Sequence, residues 1–389
     1  MRIPAAYVDG SARGRAADPD RADNYLAHTT VGDPVADALA DYLSSLPRAE
    51  ATKLIELGMQ AGNDTALRAA AEPVREFFDT CYDPPDWLDI PSLTPGYRLF
   101  HRNTSLVLAG MVAGVLVEGF TTNIAKSFFL TGRLRDQGVR RLKQNNRHML
   151  EIFMPGGMDR HSDGWALSVR IRLVHATIRR LLSGSDEWDI EELGTPISAA
   201  HVGLAISAFS ARLLHHLKSL GASFDKEERK SFMAIWRYSG HLMGIPETIL
   251  FRDEQDALEI FRIGTLCEPE ISMESKVMAT SLVNSAPLFA GLTERHARRK
   301  LASYIFKISR ALIGDDVADG LGYPKESTTG TLWRFRLLNR VDDLLNRFNP
   351  TRTQERNNMT TILDVSMFER HGISYRLPDH IYAEQSREW

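Results

Sequence analysis

Apolar residues recur every three or four positions along most of the chain, the spacing of helices with one buried face. Asp33-Pro34 precedes such a pattern at Val35, Leu39, Leu43 and Leu46. Long helix formers continue from Glu50 to Phe78, and Pro84-Pro85 with Pro91–Pro95 brackets a loop. Thr104–Thr131 is a long apolar segment, and Val139–Phe153 follows it to the turn Pro155-Gly156-Gly157. Asp163 caps a helix reaching Leu182 and closed by Ser183-Gly184. Further helices are expected at Ser198–Leu220, Lys226–Met243, Glu254–Ile263, Glu294–Ile313 and Leu332–Phe348. No hairpin signal and no fixed-period repeat appears, so the predicted class is all-α.

Residues 1–30 are rich in Ala, Asp, Arg and Gly without periodicity and are expected to form a loose N-terminal extension. A helical extension is expected over 31–94, one large domain over 95–349, and a tail over 350–389.

With 43% hydrophobic residues the chain can bury a core, which excludes bulk disorder. Lys+Arg number 47 against 50 Asp+Glu, and a net charge of −3 creates no field for nucleic acid or an anionic membrane. Cys81 and Cys267 are too few for a disulfide scaffold or a four-thiolate zinc site. The most apolar stretch, Leu106–Val117, ends at Glu118 and falls short of the ~20 residues a bilayer span needs. A buried helix is therefore expected there, with no stable membrane insertion. The first residues lack the continuous apolar stretch of a secretory signal, so a cytoplasmic location is expected.

Phosphate-cradling glycine loops and the GxSxG nucleophile elbow are both missing. None of the 12 histidines has a Glu three residues before it or a His four away, which excludes the helical di-iron and His-Glu-x-x-His zinc patterns. The informative segment is the helix around His175. Leu167, Ile171, Val174, Ile178 and Leu181 form an apolar stripe, and Arg172, His175 and Arg179 form a second stripe beside it. An imidazole between two guanidinium groups, next to an apolar surface, suits haem: the ring is apolar, its iron takes a neutral imidazole, and its propionates pair with Arg. The same pattern also describes a histidine at the edge of a core between solvated arginines.

Arg172-x-x-His175-x-x-x-Arg179 resembles the proximal motif of the latex-clearing protein (rubber oxygenase) family, which includes the fungal oxygenase of mycophenolic acid biosynthesis. Leu130-Thr-Gly-Arg133, Val139-Arg-Arg-Leu142, Gly194-Thr-Pro-Ile197, Ala208-Phe209-Ser210 and the run Trp236–Pro246 agree in order. The resemblance implies a globin-like helical core with extra N- and C-terminal helices. It also implies a haem b whose iron is bound by His175, and dioxygen-dependent oxidation or C=C cleavage of a hydrophobic small molecule. Arg172 and Arg179 would hold the helix against the haem, pairing with its propionates or with neighbouring carboxylates. The family's distal Arg-x-x-Lys-Thr falls by spacing on Arg141, Gln144 and Asn145, so Arg is kept while Lys and Thr are replaced by amides. Glu118 is the nearest match to the family's catalytic Glu. These replacements and the expected cytoplasmic location point to a small isoprenoid or lipid-like substrate rather than a polymer.

Two other readings stay open. A haem- or lipid-binding sensor or carrier would need the same His175 and arginines. Asp315-Asp316-Val-Ala-Asp319 spells the magnesium motif of all-α terpenoid synthases, although Gly314 and Gly320 favour an acidic turn. Met154, Met158 and Met243 are expected as core filler, and Gly110-x-x-x-Gly114 as a site of close helix packing.

Overall fold

The computed structural model describes residues 3–60, 62, 64–131, 146–348 and 377–381. Regular structure among them is entirely helical. Of the expected tail over 350–389, all but 377–381 lies outside the described residues.

The central element is the helix Asp163–Ser183, which carries His175. Asp163 in its first turn and Arg180 in its last match the helix dipole, and the Gly184 N–H closes it onto the Arg180 carbonyl. It packs against Pro34–Ser44 on one side and Lys226–Leu242 on another. Pro34–Ser44 starts where the Asp33 carboxylate accepts from the Ala36 N–H, with Pro34 supplying a preset φ. Lys226–Leu242 starts with a reciprocal cap between Asp225 and Glu228 and lies along Thr94–Arg102.

Residues 3–30, the described part of the expected loose extension over 1–30, are mostly helical. They contain the helices Val8–Ala17 and Pro19–His28, both packed on Glu254–Cys267. Gly10 meets the Cys267 carbonyl so closely that a Cβ would overlap it. The Tyr25 hydroxyl donates to Glu268 Oε1 at 2.6 Å, and the Asn123 backbone N–H donates to Oε2 at 2.6 Å. Tyr7 is fully buried, with its hydroxyl 2.9 Å from His201 Nε2. The N-terminal helices are thereby fastened to the middle of the chain through a buried polar network.

Two expected long helices are interrupted. The apolar segment from Thr104 runs as Thr104–Gly110, a π-helical turn Met111–Val115, and Leu116–Gly119; Ile124–Leu130 resumes after a turn. Ala199–Ser207 likewise passes through a π-helical turn, Ala208–Arg212, into Leu213–Leu220. The two π turns touch each other, and such turns often mark functional sites. The helix Met273–Phe289 has no counterpart among the expected elements.

Among the described residues no single helix is long and apolar enough to cross a membrane. The pair Ile90–Arg102 and Thr104–Gly119, bent by 80°, reaches the necessary length and composition together. Its Leu93, Leu99, Phe100, Val107, Met111, Val115 and Val117 are all buried within the protein.

Candidate active site

The apolar stripe of the His175 helix faces a cavity of about 180 Å3. Ile171, Val174, His175 and Ile178 form one wall. Met111, Val115, Leu116 and Phe120 line it from the first π turn and its continuation, and Ile124 and Phe128 from the next helix. Val202, Ala205, Ile206, Ala208 and Phe209 come from the second π turn and the helix before it. Trp236 and Met243 contribute from Lys226–Leu242 and its C-cap, and His148 and Met149 from the helical residues 146–152. The lining is apolar apart from the two imidazoles and one indole. An apolar lining with few polar groups is the usual make-up of a small-molecule pocket.

His175 is half-buried at the cavity wall. Behind it lies a small polar crevice bordered by Asp33, Arg172, Arg179 and Gly244. Arg172 Nε and Nη2 donate to the two Asp33 carboxylate oxygens at 2.6 and 2.9 Å, and its Nη1 donates to Thr80 Oγ1 at 2.9 Å. Burial pulls the Arg172 pKa down, but Asp33 more than reverses this and holds the guanidinium charged. Arg179 Nε donates to both oxygens of Asp37, and its Nη1 donates to the Ile197 carbonyl at 2.8 Å. Of the two pairings expected for these arginines, the structure shows the one with neighbouring carboxylates. They bind the His175 helix to Pro34–Ser44 and do not line the cavity. Their charge is matched by protein carboxylates.

Glu118 lies apart from the cavity lining. It is buried and paired with Arg212, and His216 Nε2 lies 3.0 Å from its Oε2. Burial raises its pKa, but His216 and then Arg212 overcome that and bring it down to about 2. A carboxylate held this strongly as an anion is a poor proton acceptor, and Glu118 is not among the cavity-lining residues. Its cluster joins the segment after the first π turn to the end of the second. Close approach at the expected glycines makes room for it, since a Cβ on Gly114 would lie 2.6 Å from the His216 ring.

The expected distal residues Arg141, Gln144 and Asn145 lie outside the described residues. Asp315 and Asp319 sit on the short helix Asp315–Gly320, where Arg310 donates to them at 2.8 and 2.6 Å. Among the described residues no group of three or more His, Cys, Asp and Glu is placed to hold a metal ion. The acidic motif thus forms a protein ion pair, and the magnesium reading loses its site.

Several cavity residues escaped the sequence reading. His148 is buried, with Nε2 2.9 Å from Ser168 Oγ, and burial lowers its pKa to about 3, so it is neutral. Trp236 is stacked on Phe209, with ring centroids 5.5 Å apart. Met243, expected as filler, lines the cavity. Trp236, Ser239 and Met243 recur at i, i+3 and i+7 within the run Trp236–Pro246, a spacing that by itself placed them on one face.

Residues 97–341 match the family model described as "ER-bound oxygenase mpaB/B'/Rubber oxygenase, catalytic domain". The chain is 23% identical over 334 residues to the rubber oxygenase of Streptomyces sp. (strain K30), covering 83% of this chain and 75% of that protein. Its fold is similar to the solved structure of latex clearing protein LCP in the closed state, with a TM-score of 0.63 and 21% identity, covering 86% of this chain and 91% of the other. The cavity, the helix that walls it and the π turns opposite all fall within the matched segment, and the chain belongs to this mpaB/B' and rubber oxygenase family as an oxygenase enzyme.

Proposed function

We propose that a haem b binds through His175 at the cavity wall, and that the enzyme oxidises a hydrophobic isoprenoid- or lipid-like molecule, oxidative cleavage of a C=C bond being one route. As an oxygenase it uses dioxygen and a small-molecule substrate. The observation that carries the haem reading is the place of His175: an imidazole in the middle of an apolar wall, on a helix pinned from behind by two arginine–carboxylate pairs. The donor set fits, because a haem iron needs only one protein imidazole, which His175 would supply. When bound, the haem supplies the redox-active iron at which dioxygen is activated.

The chain's own residues then have separable tasks. Arg172 and Arg179 keep the helix, and with it the imidazole, at a fixed height and rotation. The apolar walls exclude water and orient a hydrocarbon chain along the cavity. Arg141, Gln144 and Asn145 are assigned to the dioxygen side on the spacing implied by the family resemblance. A cytoplasmic location belongs to the same proposal, and cell fractionation checks it.

The experiment is an absorption spectrum of the purified chain, supplied with haem, before and after dithionite, with a pyridine haemochrome assay. The expected result is about one b-type haem per chain in the wild type, lost in a folded His175→Ala variant. A wild type that takes up no haem, or a variant with an unchanged Soret band, overturns the reading. Gln144→Lys should shift the resting spectrum, and an unchanged one removes Gln144 from the iron's surroundings.

A further inference from the structure

Two polar side chains of the cavity wall, His148 and Trp236, lie side by side. Ser168 lies seven residues before His175 on the same helix, about 10 Å of helical rise away. Its Oγ donates to the Gly164 carbonyl at 2.9 Å, so the bond to His148 Nε2, also 2.9 Å, is one that Ser168 accepts. Ser239 Oγ lies 3.4 Å from the same nitrogen. With Ser168 Oγ also 3.1 Å from Ser239 Oγ, a proton on Nε2 is one arrangement that satisfies this network, and it leaves Nδ1 as the acceptor of the His148 ring. Beside it, the Trp236 indole stands nearly perpendicular, with centroids 6.2 Å apart. Trp236 is 2% exposed, and its Nε1–H has no hydrogen-bond partner among the described residues. A buried donor without a partner is costly, so it is informative where a ligand cavity adjoins it.

We propose that His148 and Trp236 form an anchor for a hydroxyl group of the substrate: Trp236 Nε1–H donates to the hydroxyl oxygen, and the hydroxyl proton is donated to His148 Nδ1. One neutral donor beside one neutral acceptor selects a group that both accepts and donates. A carboxylate would bring negative charge against the Nδ1 lone pair, an ammonium would face the indole N–H, and a carbonyl would leave Nδ1 unpaired. The substrate class is accordingly an apolar chain bearing an alcohol, held by its hydroxyl at His148 and Trp236 while the chain lies in the apolar space that the haem leaves free. This rests on the reading of the cavity as a hydrophobic substrate site.

The test is calorimetric titration of the full-length protein with a C15 isoprenoid alcohol and with the hydrocarbon of the same skeleton. The wild type should bind the alcohol about tenfold more tightly, the scale of one or two net hydrogen bonds. Trp236→Phe and His148→Phe, each checked for native helicity, should lose that preference and retain hydrocarbon binding. Equal wild-type affinity for both ligands overturns the anchor and leaves the hydrophobic-cavity reading standing, as does a preference that persists in both folded variants. Should neither ligand bind the wild type, both readings fall. Haem content, assayed separately on the same sample, tells whether the cofactor assignment falls with them.

Discussion

Arg172 closes on Asp33 with two prongs, Nε to Oδ2 at 2.6 Å and Nη2 to Oδ1 at 2.9 Å, one turn before His175 and on the side away from the cavity. The pair is almost wholly buried, with side-chain exposures of 6% and 10%. Removing either partner strands the other's charge. Asp33→Asn and Arg172→Met should each lower the unfolding free energy by about 3–5 kcal/mol, measured by urea denaturation. The double variant should lose clearly less than the two single losses added together. Strict additivity would show that the contact is not energetically coupled.

Asp33 and Asp37 lie outside the segment matched by the family, 97–341. A fragment restricted to that segment should therefore expose the buried arginines of the His175 helix and the Glu268 network together. It should be insoluble or lack a near-ultraviolet circular dichroism signal, whereas the full chain should show one. A fragment with native-like near-ultraviolet dichroism would refute this dependence.

The Glu118 pKa, brought down to about 2 in the folded protein, links stability to acidity. Its stabilisation is fully present above the ordinary carboxylate pKa of about 4.5 and disappears as pH falls towards 2. Denaturation midpoints should drop over that window. Glu118→Gln should be less stable near neutral pH and show a flatter acid limb; an unchanged limb would assign the acid sensitivity to other groups.

Gly114→Ala places a methyl group 2.6 Å from His216 Cδ2 and 2.8 Å from its Nε2. The ring is fully buried and has no free end to swing away. The expected cost is about 1–3 kcal/mol by overpacking, read from urea midpoints. No change would mean that the helix pair can spread at this point.

Ala205 lines the cavity and is only half-buried. Ala205→Phe should fill the cavity space, reduce haem and isoprenoid binding at least tenfold, and leave the melting temperature within a few degrees of wild type. Unimpaired binding would place the ligand elsewhere.

The fold was most legible at Asp33-Pro34, where the helix start matches; at Asp163 the start matches within a residue, but the cap position falls on Ser162, which makes no side-chain cap bond. Val8–Ala17 was hidden because it buries Gly10, Ser11 and Gly14, so its contact is made by backbone and leaves no hydrophobic period. Met273–Phe289 interleaves its buried Met278, Ala279, Leu282 and Val283 with polar residues and carries Pro287 near its end, a breaker signal without a break. In the site, His175 and the arginine stripe stood out in the sequence, but their surroundings did not. Ile171, Val174 and Ile178 face a cavity, and a helix lining a cavity has the same apolar signature as one packed on side chains. Glu118 at the end of an apolar run reads the same whether it meets solvent, substrate or a guanidinium 94 residues further on.

The paired π turns carry a last consequence. Each accommodates one more residue than a regular helix of the same span would hold, and cavity-lining side chains lie within or after both, at Met111, Val115, Leu116 and Phe120, and at Ala208 and Phe209. Deleting one residue from either turn would restore an ordinary helix of the same span, leaving the downstream helix in place and removing the local bulge beside the cavity. Chain length at these two points, and not side-chain identity alone, therefore sets the bore of the pocket. A one-residue insertion or deletion there is the smallest genetic step that could retune which molecules the enzyme admits.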